Sequence, residues 1–576
     1  MASIFQNIMA LFGKRDKWAA LILIALMILA ACMEMIGLTL LVPIIDIVSD
    51  ASKLNTNDHY QKIYDVIGAT SVESFIIKFS IIVIIYILLK NAFLTFVSLR
   101  QANFIKSREI SITNRLLQSY LMKPYIDISH RNSADMIRNI NQEVNHVFVM
   151  VVNTLLTVVA ELFVVIALLT LMIFVSPGAT LLAFGLLSIG IIIFIFGIRK
   201  IIQKLGNQRQ NARGRMIEWA TQALYSLKEL LVAEKQHYFL NKFRNNSNLT
   251  RQAEVFDLAL SRIPQLFIET FAIITLLSVM LYTYMQGHDF IATLSVFALV
   301  LLRLMPTMNR IIICISRAKF YLPSLNIVVH DLENINDGDQ KIDSNHSKIQ
   351  FNNQITIKDI SFAYPSNGKI ILQGVNLKIQ KGDIISIVGE SGSGKTTFMD
   401  IMLGLLSPQS GSITVDNMDI TSSPNQFLSI VSYLPQSVYL LNTTIRENIA
   451  FGVEPDDIDD SKINSVIEKV GLSKMISELS DGLDAHIGDI GGKVSGGQRQ
   501  RIGIARALYH DKDVLFLDEA TAGLDSETEN KICETLKSLT PDVTIISISH
   551  QTALINIADT VYTMIDGKLK IDKNNL

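Results

Sequence analysis

Six apolar stretches constrain this chain more than any other feature. A helix crossing the hydrocarbon of a bilayer needs about 20 mostly apolar residues. Residues 18–48, 75–99, 147–175, 178–198, 263–285 and 289–312 each supply them. Unpaired backbone amides are too costly in hydrocarbon, so each stretch predicts a spanning helix. The first is too long for a cleaved signal, has no small-residue cleavage site and runs on through "CMEMIGLTLLVPII". Residues 1–18 before it, with Lys14, Arg15 and Lys17, read as a short interfacial helix ending in a basic cluster. Composition agrees: 49% of residues are apolar and 18% charged, against about a quarter charged in soluble domains. With 53 acidic and 51 basic residues, bulk charge gives no argument for a nucleic-acid partner. Cys32, Cys314 and Cys533 are too dispersed for a metal site or a disulfide framework.

Lysine and arginine set the orientation. With the N-terminus inside, segments 1–17, 100–146 and 199–262 hold 22 of them, and the opposite side holds two, Lys53 and Lys62. Both termini are therefore expected in the cytoplasm. The outer connections after spans 3 and 5 are only a few residues long, whereas 100–146 and 199–262 are long, helically patterned and poor in Pro and Gly. Each reads as two spanning helices prolonged into the cytoplasm and joined by a short crosswise helix, near Pro124–Ala134 and Glu218–Ala233. The division expected is a transmembrane domain over 1–323, a polar linker over 324–349 and a soluble α/β domain over 350–576.

In the last of these, Gly389-Glu390-Ser391-Gly392-Ser393-Gly394-Lys395-Thr396 fits the phosphate-binding loop pattern GxxxxGK[ST]. It follows the strand-like "DIISIV" and precedes the helical "TFMDIMLGLL". Glycines let backbone amides crowd around phosphate oxygens, and the helix N-terminus adds positive potential. Lys395 is placed to reach the β- and γ-phosphates and Thr396 to ligate Mg²⁺, with Thr397 beside them. A second motif, "DVLFLDEA" at 513–520, is a buried strand ending in two acids. Asp518 suits the metal and Glu519 suits polarising an attacking water. Alone, such a strand end is equally a solvated acidic turn; paired with the loop it points to nucleotide hydrolysis.

"VSGGQRQR" at 494–501 resembles the signature of ATP-binding-cassette proteins, and its order relative to the other motifs matches that family. The resemblance covers about 350–570 densely and, with the six spans, makes the whole chain similar to half-size ABC exporters. It implies ATP and Mg²⁺ as ligands, and an α-helical membrane bundle followed by an α/β cassette with a helical subdomain over about 437–510. Residue by residue, it implies that Tyr364 stacks on adenine and that Gln436 contacts Mg²⁺ and the transmembrane domain. Asp525 lies in a loop crossing to a partner, and His550 contacts the γ-phosphate. Ser495, Gly496, Gly497 and Gln498 close the site of a second cassette. Departures are Val494, Gly523, Gln551 and, in "IGDIGG" at 487–492, Ile490. None removes a catalytic group. One chain holds one phosphate loop and one signature, so a homodimer is expected.

Substrate is read from charges inside the spans, which are costly there. These are Glu34, Lys90, Glu161, Glu269 and Arg303. At about 1.5 Å per residue, Lys90 lies about 22 Å and Arg303 about 20 Å from the outer surface, at similar depth. They are the candidate contacts for an anionic headgroup; the alternative is that each snorkels or pairs with Glu161 or Glu269. "LVLLRLMPTMNRI" at 299–311 and the polar outer segment 50–74 resemble flippases of lipid-linked oligosaccharides. That resemblance implies a polyprenyl-pyrophosphate glycan carried across the inner membrane. An exporter of lipid, drug or peptide with the same architecture is the alternative. No peptidase domain precedes the first span in this sequence, which argues against an exporter that cleaves its cargo's leader. A non-transporting cassette ATPase is the remaining class. Washing membranes without detergent separates it from the others: the chain is expected to stay in the pellet, and release into the soluble fraction would overturn the six spans.

Overall fold

The computed structural model describes residues 2–49, 58–129, 131–260, 262–286, 290–333, 349–365, 368–421, 424–487, 494–521 and 524–574. They fall into two compact units. The first takes Met1–Lys123 and His130–Gln340, and the second takes Pro124–Ser129 and Lys341–Leu576.

The described part of the first unit is helical. In order it contains α1 (Ala2–Leu11), α2 (Lys14–Thr39), α3 (Val42–Ser49), α4 (Asp58–Ile67) and α5 (Val72–Met122). After α6 (Tyr125–Ser129), which belongs to the second unit, come α7 (Ser133–Arg138), two π-helical segments, Asn139–Glu143 and His146–Val152, and α8 (Asn153–Val175). The rest are α9 (Pro177–Tyr225), α10 (Leu227–Val232), α11 (Gln236–Ala259), α12 (Ile263–Gln286), α13 (Phe290–Phe320) and α14 (Leu322–Glu333). Among the described residues, six stretches are long and apolar enough to cross a membrane: Lys14–Ile45, Val72–Met122, His146–Val175, Pro177–Tyr225, Gln236–Met285 and Leu294–Phe320. α5 has 51 residues, about 75 Å of helix, more than twice the thickness of bilayer hydrocarbon. Spans 2 and 4 thus run on far past their apolar parts without a break.

Their surfaces are apolar outward as well as inward. Phe174, Leu181 and Phe196 are among the large side chains that point away from the protein, as a lipid-facing surface requires. Inward, Leu168, Met172, Val279, Phe297 and Val300 pack spans 3, 5 and 6 together. At α1 the interfacial expectation is modified: Ile8 and Leu11 are buried and α1 packs on α14, so that side of the helix is covered by protein. α14 also occupies the first part of the segment expected as linker. Leu325, Val328 and Asp331 are buried there at a helical spacing that holds one face against the bundle. The remainder of that segment, 334–348, lies outside the described residues.

The described residues of the second unit form two sheets. Strands β1 (Gln354–Ala363), β2 (Ile370–Gln380), β4 (Ser410–Val415) and β5 (Met418–Asp419) form an antiparallel sheet in the order β2-β1-β4-β5. β3 (Ile384–Val388), β6 (Val431–Leu434), β7 (Val514–Asp518), β8 (Thr544–Ile548), β9 (Thr560–Ile565) and β10 (Lys568–Asn574) form the other, in the order β10-β9-β3-β8-β7-β6. It is parallel except at β10. β3, β7 and β8 are rich in apolar residues and buried almost throughout, because both faces of a parallel sheet are covered. α15 (Lys395–Met402) follows β3. Between β6 and β7 lies a helical region that ends in α16 (Gly496–Tyr509).

α16 packs close to the residues around the end of β6 because Gly503 has no side chain. A Cβ there would lie 2.6 Å from Val438 and 2.7 Å from Leu434. Gly503→Val is expected to cost about 1–3 kcal/mol through overpacking. A thermal melt of the detergent-solubilised full chain checks this as a Tm lowered by several degrees.

Candidate functional site

The parallel sheet sets the chemistry out along one edge. β3 pairs with β8 and β8 with β7, with Ile387 and Asp518 both opposite Ile548. The phosphate loop leaves the C-terminal end of β3, Asp518 and Glu519 stand at the end of β7, and His550 follows β8. Ligands of open α/β sheets bind at such strand ends.

The loop needs its glycines. Gly389, Gly392 and Gly394 have φ of 152°, 83° and 106°. A Cβ on Gly389 would lie 2.4 Å from the Met564 carbonyl oxygen. Lys395 folds over the loop and donates to the carbonyls of Gly389 at 2.6 Å and Glu390 at 2.8 Å. The Ser393 amide donates to the Glu390 carbonyl, whereas the Ser393 hydroxyl is buried with no hydrogen-bond partner among the described residues. That orphan donor, inside a ring of amides at a helix start, suits a phosphate. Tyr364 stands edge-on to Phe362, ring centroids 5.0 Å apart, and its hydroxyl is 3.3 Å from that of Thr397. An aromatic face is thus held beside the phosphate loop.

Gln436 donates from Nε2 to Glu519 Oε2 at 2.5 Å, which leaves its amide oxygen available. Glu519 takes a left-handed backbone, φ 47°, and its amide bonds the Ile548 carbonyl. Burial, then the neighbouring charge of Glu519, raise the Asp518 carboxyl above the usual range. A hydrogen bond from Tyr433 and the ammonium of Lys395 pull against them. The Asp518 carboxylate, the Thr396 hydroxyl and the Gln436 amide oxygen are an all-oxygen donor set, of the kind that suits Mg²⁺.

The signature residues sit apart from this cluster in role. Ser495 and Gln498 form a capping box at the N-terminus of α16: the Ser495 hydroxyl accepts from the Gln498 amide and Gln498 Oε1 from the Ser495 amide. Ser495 and Gly496 are exposed, and Gly497 lies against Leu524. Next to Leu524, Asp525 caps α17 (Ser526–Ser538) by accepting from Thr528. The two elements expected to meet a partner are therefore neighbours. Ile490 lies outside the described residues, as does Gly523.

In the membrane unit, Arg303 is ion-paired with Glu34, a carboxylate that the expectation of Glu161 or Glu269 had passed over. Glu161 instead pairs with Arg310 at 2.8 Å, and Glu269 is exposed. Lys90 lies against Gly37 of span 1. Arg310 was missed because it falls at the end of the apolar stretch. It lies seven residues, two turns, beyond Arg303, so the spacing of the two arginines was the available sign.

Comparison with known proteins decides the family. The ABC transporter transmembrane region family matches residues 20–305 and the ABC transporter family matches 372–522. The chain belongs to the ABC transporters, as a half-size exporter. It is 30% identical to an ATP-dependent lipid A-core flippase of Francisella novicida over 66% of this chain, which spans 64% of that relative. With the lipid A-core flippase of Ralstonia nicotianae it shares 26% identity over 80% of this chain and 78% of the other. Its fold matches that of a bacterial Atm1-family ABC exporter with ATP bound, at a TM-score of 0.74 and 19% identity, over 96% of this chain and 94% of the other.

Two outcomes follow for the exporter. Glu519→Gln is expected to lower ATP turnover about 10²- to 10³-fold while leaving nucleotide affinity nearly unchanged, read by single-turnover hydrolysis and by nucleotide binding. The second concerns Asp400 of α15, which sequence reading passed over. Burial, then the charge of Asp518, push its carboxyl up to about 6. A raised carboxyl favours folding below the unfolded value near 3.8, and this is lost as pH rises through about 6. Asp400→Asn should therefore stabilise the nucleotide-free protein at pH 8 by on the order of 1 kcal/mol after allowance for partial exposure. The gain should fade toward pH 4 in a pH series of melts.

Proposed function

We propose that two copies of this chain form an ATP-hydrolysing transporter of the inner membrane, termini cytoplasmic. It would move an amphipathic lipid-linked oligosaccharide, a polyprenyl-pyrophosphate glycan, away from the cytoplasmic side. The observation that carries the ATPase reading is the meeting of the phosphate loop, Asp518, Glu519 and Gln436 at the ends of adjacent strands, with Gln436 bonded to Glu519. Lys395 leaves the loop carbonyls for the β- and γ-phosphates, Tyr364 offers its ring to adenine, and Glu519 polarises the attacking water. His550 steadies the γ-phosphate. Thr396, Asp518 and Gln436 would hold Mg²⁺, which would supply neutralising charge to the transferring phosphoryl group.

The exposed start of α16 and the adjacent Asp525 support a site completed by a second chain. Nucleotide then favours the closed pair because its γ-phosphate gains contacts to Ser495, Gly496 and Gly497 of the other copy. α10 supports the same arrangement. Leu224, Tyr225, Leu231 and Val232 are exposed at the tip of spans 4 and 5, an apolar surface suited to docking on the other copy's cassette.

For the substrate, Lys90, Arg303 and Arg310 are cations within or at the end of the spans. Arg310 is half exposed beside its carboxylate, so an anionic headgroup can compete for it. The second reading, an exporter of another lipid, is favoured by the relatives named as lipid A-core flippases. Reconstitution with a fluorescent lipid-linked glycan tests the choice through ATP-dependent loss of label from one leaflet; no loss would overturn the glycan assignment. In the same vesicles, Arg303→Ala is expected to lower the ratio of lipid-stimulated to basal ATP turnover about ten-fold, and unchanged stimulation would remove Arg303 from the substrate path.

A further inference from the structure

Asp331, in the last turn of α14, is 5% exposed and is gripped from four other places in the chain. Its Oδ1 accepts from Arg131 Nη1 at 2.9 Å, and its Oδ2 accepts from the Tyr120 hydroxyl at 2.5 Å and from Asn139 Nδ2 at 3.1 Å. Its backbone carbonyl accepts from Ser119 Oγ at 3.3 Å and from Lys123 Nζ at 3.1 Å. Burial works against the carboxylate, but the bonds from Tyr120 and Arg131 and the charge of Arg131 outweigh it and hold the group below the usual range. The residue is a charged knot rather than a buried acid.

What it ties is specific. Lys123 and Arg131 flank α6, the first crosswise helix, on its two sides. Within the second unit α6 touches the cassette: Ile126 packs against the apolar core cluster of both sheets, and Tyr125 lies within electrostatic reach of the Tyr433 hydroxyl, which bonds Asp518. Neither joint of α6 to its spans is helical. Lys123, before Pro124, has ψ 148°, as the proline ring demands, and Asn132 at the other side has ψ 119°. Helix continuity therefore cannot carry a push from α6 into spans 2 and 3. Side-chain bonds from both flanks to one residue can: Arg131 grips the Asp331 carboxylate and Lys123 its backbone carbonyl. The same carboxylate belongs to the helix that follows span 6.

We infer that Asp331 is a positioning residue for coupling: it clamps both flanks of α6 to the end of span 6, so that cassette movement reaches spans 2, 3 and 6 as one displacement. The clamp acts through Lys123 and Arg131 and touches neither nucleotide nor cargo. Loss of its carboxylate frees the Arg131 flank of α6 to follow the cassette while the spans stay behind.

The protein carries its own reporter. It has two tryptophans, and both Trp18 and Trp219 lie in the membrane unit. In a Trp219→Phe background, Trp18 at the start of span 1 reports the membrane unit alone. Fluorescence of the full-length protein in nanodiscs is compared with and without ATP, Mg²⁺ and vanadate, alongside ATP turnover. Asp331→Ala is expected to keep turnover within about two-fold while losing most of the nucleotide-dependent change, and coupling losses of about ten-fold are the usual scale. Arg131→Gln, at a partly exposed position, should give the same split, and adding it to Asp331→Ala should cost little more. An unchanged Trp18 response in either variant overturns the clamp. So does a parallel fall of turnover and response, which marks a merely structural role; Arg131→Gln decides if Asp331→Ala does not fold. No transported lipid enters this readout, so a failure of the glycan assignment leaves it unaffected.

Discussion

The backbone's need for hydrogen bonds in hydrocarbon governs this protein from end to end. It forces each apolar stretch into a helix, and nothing in the amide ladder stops a helix where the lipid stops. Spans 2 and 4 continue as 51- and 49-residue helices into water, changing side chains but not backbone. The membrane unit consequently has long unbroken helices, and a short helix follows each of them in the chain, α6 after span 2 and α10 after span 4. The turn at Lys123 has a local cause in Pro124. The turn at Ser226 has no proline, and the chain reverses through Glu234 at φ 54°.

Electrostatics divides between two environments. In the cassette, glycine-rich backbone and one lysine prepare a positive cradle, while Asp400, Asp518 and Glu519 gather negative charge beside it. Each set is uncomfortable alone, and the proposed nucleotide with its cation would relieve both. In the spans two arginines are already paired, Arg303 with Glu34 and Arg310 with Glu161. Burying an isolated charge there would cost several kcal/mol, so pairing is the expected resting condition. An anionic headgroup would enter by exchange with a carboxylate rather than by filling an empty site. This makes the partner Glu residues as relevant to the proposed transport as the arginines.

Much of the site was legible because its motifs are local. Gly389–Thr396 must be contiguous to wrap phosphate, and Asp518 and Glu519 must close one strand, so spacing alone exposes them. Asp331 was hidden for the opposite reason. It sits in a stretch read as linker, and its partners Tyr120, Lys123, Arg131 and Asn139 lie about 190 to 210 residues away. Tyr433 and Asp400 likewise matter through their contact with Asp518, which no periodicity reports.

The sequence by itself determined six long apolar helices and an α/β cassette carrying a phosphate-loop motif. Apolar length, charge asymmetry and short motifs are properties of neighbours along the chain. Only the tertiary structure decided which carboxylate holds Arg303, that α14 is a packed helix, and that the flanks of α6 converge on Asp331. Those are meetings between segments distant in sequence, fixed by how helices pack and by the cost of leaving a buried charge without a partner.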